Sequence, residues 1–83
     1  MNIELAGRYG GTNYALEAAH VAGMFRVIVG GRVVGRIGTY GANEWWWHYT
    51  DRPEHAAEGR RPNSEWAADE VVGAHLAALQ VVA

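Results

Sequence analysis

The 83-residue chain has no cysteine and no lysine, and only one serine, one phenylalanine and two prolines. Without cysteine there is no disulfide framework, no thiolate zinc site and no cysteine nucleophile. Without lysine, all fixed basic charge rests on seven arginines, which nine acids outweigh to leave a formal net charge of -2. A protein that binds nucleic acid mainly by charge is normally basic, so that class is disfavoured. No apolar run approaches the roughly 20 residues that a membrane-spanning helix needs. The opening Met1-Asn2-Ile3-Glu4 lacks the basic and apolar regions of a signal peptide. The expectation is a soluble protein of the cytoplasm of a bacterial host, without a membrane partner.

The length allows one domain, residues 1–83, and excludes an enzyme with separate cofactor and substrate lobes. A chain of this size buries only about 63% of its unfolded surface. That is close to the limit at which burial outweighs ordering entropy. With disulfides excluded, self-association as a homodimer gains weight. Fourteen alanines bury little area each, so much of the apolar mass sits in four tryptophans, four tyrosines and nine valines. The tryptophans therefore either carry much of the core or form a contact surface.

Ile3, Leu5 and Tyr9 alternate with polar neighbours and suggest a short strand ending at Gly10-Gly11. Thr12 or Asn13 then caps an expected helix from Tyr14 to Ala22, with Gly23 at its left-handed stop. Two β-branched runs, Phe25 to Val29 and Arg32 to Ile37, flank Gly30-Gly31, the signature of a two-residue type I′ hairpin. In that register Val29 faces Arg32, Ile28 faces Val33, Val27 faces Val34 and Phe25 faces Arg36. Arg26 and Arg36 then point to opposite faces. Gly38 to Asn43 reads as a turn and Glu44 to Thr50 as a third strand, with Trp45, Trp47 and Tyr49 on one face and Trp46 and His48 on the other. Asp51 to Pro62 reads as a polar connection holding one helical turn, Pro53 to Glu58, with Pro at its first position and Gly59 as its stop. Asn63 or Ser64 caps a long C-terminal helix whose apolar stripe is Ala68, Val72, Leu76, Leu79 and Ala83, widened by Val71, Ala78 and Val82, with Gly73 permitting close approach to the sheet. The expected fold class is α+β: a three- to four-stranded antiparallel sheet with a short N-terminal helix and a long C-terminal helix.

The Trp45-Trp46-Trp47 run is the most informative feature. Trp45 and Trp47 belong under the C-terminal helix, which forces Trp46 to the opposite face beside His48. Trp46 is core if the first helix covers that face, and a contact residue if nothing does. The histidines lack metal-site spacing: no HExxH occurs, and His48, Asp51, Glu54 and His55 make only a loose loop cluster. The lone serine, Ser64, is better placed as a helix cap than as a nucleophile. No catalytic residue, cofactor or metal ligand is assigned. Arg26, Arg32 and Arg36 cluster on the hairpin, and Tyr40, Trp46 and His48 offer stacking surfaces for nucleic acid, against the net acidic charge.

From Phe25 onward, the order hairpin, aromatic third strand, polar loop and capped helix resembles small phage-encoded proteins of the anti-CRISPR type. The same stretch, FRVIVGGRVVGRIG through NSEWAADEVVGAHLAAL, is also similar in pattern to the HicB-type antitoxin domain. Two departures from the antitoxin stand out: an expected helix before the hairpin, and no Pro-Gly-Cys-type loop. A helix, three strands and a helix also match the element order of double-stranded RNA-binding domains, but Asn63-Ser64-Glu65-Trp66 would repel phosphate where those domains are basic. The first resemblance implies a non-enzymatic inhibitor that occludes a surface of another protein, such as a host or CRISPR effector component. The expected contact residues are Trp46, His48, Arg26, Arg32, Arg36, Arg60 and Arg61. The alternative is a nucleic-acid-binding or antitoxin-like module using the same sheet face.

Overall fold

The computed structural model describes residues 3–41 and 43–80, apart from the side chains of residues 3–5 and 40. Six strands follow one another: β1 (Ile3–Tyr9), β2 (Thr12–Ala18), β3 (Met24–Val29), β4 (Arg32–Gly41), β5 (Glu44–Tyr49) and β6 (Ala57–Arg61). A short 3-10 turn, Pro53–His55, lies before β6, and one helix, α1 (Ser64–Leu79), ends the described chain. Each strand pairs antiparallel with the next, in the order β1-β2-β3-β4-β5-β6. The sheet curls into a half-barrel. The helix contacts β1 and β6, the two edge strands, as well as β3, β4 and β5, so the sheet wraps around it. No helix among the described residues is long and apolar enough to cross a membrane.

This corrects the expected three- to four-stranded sheet with a short N-terminal helix. Residues Thr12–Ala18 are a strand because Gly10 and Gly11 make the same turn as Gly30 and Gly31. The φ angles are +57° and +79° in the first turn, and +59° and +80° in the second. Two successive left-handed residues reverse the chain in a type I′ turn, so β2 runs back along β1. Tyr14 and Leu16 then alternate into the core. The helix propensity of Ala15, Leu16, Glu17 and Ala18 amounts to tenths of a kcal/mol per residue and loses to that burial. Gly23 ends no helix; it sits at φ +80° in the turn into β3. Loss of the first helix also removes the element order shared with double-stranded RNA-binding domains.

The second correction concerns β6. Gly59 was expected to stop a helical turn but instead lies in a strand opposite Trp47. A Cβ there would come within 2.8 Å of the indole Nε1, so only glycine leaves room for the ring.

The third correction is register. Val29 faces Arg32 and Ile28 faces Val33 as expected, but Val27 then faces Gly35 and not Val34. Val34 is the extra residue of a β-bulge, and its carbonyl accepts from Thr50 N (3.0 Å) and Asp51 N (3.2 Å). From that point every partner shifts by one: Arg26 faces Arg36 and Phe25 faces Ile37.

The concave face holds the core. Tyr14, Leu16, Val27, Val34, Ile37, Trp47 and Tyr49 pack against Ala67, Ala68, Val71, Val72 and Ala78 of α1. At Gly35 a Cβ would lie 2.6 Å from Val71 Cγ1, so this glycine lets the helix settle on β4. Asn63 is the cap, accepting a hydrogen bond from Trp66 N at 2.8 Å. Ala68, Val71, Val72 and Ala78 of the expected stripe are buried, with His75 among them, whereas Leu79 is 51% exposed; Val82 and Ala83 lie outside the described residues. Gly73 faces the Tyr9 ring of β1.

Candidate functional site

Pleating sends neighbouring side chains of β5 to opposite sides. Trp45, Trp47 and Tyr49 face the helix; Trp47 and Tyr49 are buried and Trp45 packs beside Phe25, with 6.1 Å between ring centroids. Trp46 and His48 project from the convex face, 5.2 Å apart between centroids. With no N-terminal helix, no described element covers this side.

The corrected register aligns one convex row across five strands: Glu17, Arg26, Arg36, His48 and Glu58 are successive cross-strand partners. Both ends of the row are paired. Arg26 Nη1 donates to Glu17 Oε1 at 3.1 Å and to the Ala18 carbonyl at 3.2 Å. His48 Nε2 lies 3.6 Å from Glu58 Oε2. Arg36, in the middle, is exposed and has no carboxylate partner among the described residues. Arg26 and Arg36, expected on opposite faces, are neighbours on one.

The next row is Met24, Gly38, Trp46 and Arg60. The Trp46 indole lies on Gly38, where an added Cβ would come within 3.0 Å of its Nε1. Three open hollows adjoin Met24. One of about 320 Å³ is lined by Met24, Arg36, Trp46 and His48. One of about 160 Å³ runs from Val21 past Thr39 to Trp46. One of about 280 Å³ includes His20, Val21, Arg26 and Arg36. Val21 is 61% exposed. The convex face thus carries an apolar strip, Val21, Met24 and Trp46, bordered by Arg26, Arg36, His20 and His48.

The remaining expected contact residues are each paired within the fold. Arg60 shares the row of Trp46 but is paired with Glu44. Arg61 turns to the helix side, where its Nη2 donates to Glu70 Oε2 at 3.0 Å and its guanidinium lies 5.4 Å from the Trp66 ring centroid. Arg32 donates to Asp51 Oδ1 at 2.6 Å. Asp51 Oδ2 is 3.9 Å from His75 Nδ1, which is 3.2 Å from the Tyr49 hydroxyl. That chain of contacts ties the β3–β4 turn to α1. The side chain of Tyr40, the other expected stacking surface, lies outside the described residues.

Among the described residues no three His, Asp or Glu side chains gather to hold an ion, so His48, Asp51, Glu54 and His55 do not converge. The displaced titrations belong to the concave side. Burial, and then the neighbouring Asp69, pushes the Tyr14 phenol up to about 12. Burial and then Glu65 raise Asp69, whose Oδ1 sits 3.4 Å from the Tyr14 hydroxyl. Tyr49 is raised by burial and then by Asp51.

The sequence reading missed Val21, Met24, Glu17 and Glu58 as part of the convex face. The repeated Gly-Gly turn was the available signal for Glu17, since it makes Thr12–Ala18 a strand in place of a helix. Comparison with known proteins adds nothing further: no family model, no curated protein and no solved structure matches the chain.

Proposed function

We propose that this chain is a non-enzymatic protein-binding factor whose contact surface is the convex sheet face around Met24 and Trp46. The observation that supports this most is the apolar strip of Val21, Met24 and Trp46 beside Arg26 and Arg36, on a sheet face that no described element covers. Tryptophan, methionine and arginine are the residue types enriched where proteins meet, and a desolvated aromatic anchor typically dominates the binding energy. The setting is that of a small phage or mobile-element inhibitor of the anti-CRISPR kind, working by occlusion in the bacterial cytoplasm. Its support is the run β3–β4–β5 followed, after β6, by a capped helix.

The test is capture of the partner from nuclease-treated lysate, followed by titration against the purified partner. Trp46→Ala should weaken that complex by about 2 kcal/mol or more while the domain stays folded. Unchanged affinity contradicts the assignment. A second reading, single-stranded nucleic acid stacked on Trp46, is favoured by one observation: Arg26 and Arg36 share the face of that ring. Salt separates the two, because a phosphate contact weakens steeply as salt rises.

A further inference from the structure

We infer that the partner presents an acidic side chain beside an aliphatic or aromatic one, the carboxylate meeting Arg36 and the apolar group entering the hollow between Met24 and Trp46. This rests on the convex face being the contact surface, and adds what that surface recognises.

Two arginines, Arg26 and Arg36, face each other across β3 and β4. Like charges placed directly opposite one another on paired strands are destabilising. Arg36 faces Arg26 directly on one side, and His48 stands on the other. Arg26 is relieved by Glu17 and His48 has Glu58 beside it, whereas Arg36 has no carboxylate partner among the described residues. Its charge stands at the rim of the hollow that Met24 and Trp46 line. A carboxylate arriving there gains a charge-assisted hydrogen bond and relieves the repulsion, and its apolar neighbour covers Met24 and the indole.

Geometry selects a discrete acidic side chain over a phosphate backbone. Arg26, Arg36 and His48 span two strand spacings, about 10 Å, and the row ends in Glu17 and Glu58, about 19 Å apart. Along the strands the island is bounded by Ile28 and Val33 on one side and by Met24 and Trp46 on the other. A polymer of phosphates leaving this island along the row would meet a carboxylate at either end. One or two acidic side chains of a protein fit within it.

Display of random short peptides against the immobilised protein tests this. Selected sequences should pair Asp or Glu with an adjacent aromatic or aliphatic residue. Arg36→Gln should weaken the selected peptides at least about tenfold, the loss of one hydrogen bond to a charged group. In heteronuclear NMR they should shift the Trp46 indole N–H. Peptides that need Trp46 but are indifferent to Arg36→Gln overturn the carboxylate inference and leave the contact surface standing. Peptides indifferent to both Trp46→Ala and Arg36→Gln overturn both. A single-stranded oligonucleotide that binds this face more tightly than any selected peptide overturns the choice of partner.

Discussion

Trp46 and Trp47 are adjacent in the chain and chemically identical, yet they belong to different halves of the molecule. Trp47 is 8% exposed, pressed over Gly59 and embedded among residues that α1 seals. Trp46 is half-buried on Gly38 and borders two open hollows. The contrast extends across the sheet. On the concave face Tyr14 reaches Asp69, Arg61 reaches Glu70, and Tyr49 reaches His75. On the convex face Arg36 has no carboxylate partner among the described residues, and no described element covers the apolar strip. The concave side is thus built for stability, and the convex side holds groups whose interactions are incomplete.

The largest effect expected from breaking this contrast is on the concave side. Trp47→Ala should cost about 3–5 kcal/mol, since it empties a packed ring site. For a domain this small that approaches the whole stability, and loss of the cooperative unfolding transition by circular dichroism would record it. Tyr14 comes next. The folded chain holds the phenolic proton more tightly than the unfolded chain, whose value is near 10.0, against about 12 when folded. Its contribution is therefore complete below pH 10 and is lost as pH rises toward 12, by about 2–3 kcal/mol. Tyr14→Phe should flatten that alkaline decline in urea titrations run across the interval, leaving only the part due to Tyr49, which shifts the same way. The smallest effect belongs to the convex side. Arg36→Gln should leave stability unchanged or raise it by up to about 0.5 kcal/mol, because it removes a like-charge neighbour of Arg26. A clear loss of stability would mean that Arg36 makes an interaction the fold depends on.

How much of this was legible depended on which residues carried the signal. The β3–β4 hairpin was readable from Gly30-Gly31 between β-branched runs, and the alternation of β5 from its aromatic density. The helix start was readable from Asn63. The β1–β2 hairpin was not, although Gly10-Gly11 adopts the same pair of left-handed conformations as Gly30-Gly31. There the flanking residues are good helix formers, and local propensity opposed a turn whose strands gain their stability from distant partners. The bulge at Val34 was missed, although Gly35 inside a β-branched run is a sequence mark that often accompanies one. That single inserted residue decided whether Arg26 and Arg36 share a face, so the candidate surface was only partly within reach of sequence. Trp46 and His48 were assigned to it from alternation alone. Their neighbours required the three-dimensional register.

The central claim is that one strand divides its indoles between a core and a recognition face. The most direct measurement is urea unfolding of Trp46→Ala beside Trp47→Ala. Trp46→Ala should lose about 1 kcal/mol, the scale of one cross-strand aromatic pair, and keep a cooperative transition whose midpoint falls by about 1 M or less. Trp47→Ala should be largely unfolded before urea is added. If Trp46→Ala collapses as completely as Trp47→Ala, both rings are core and the convex recognition surface does not exist.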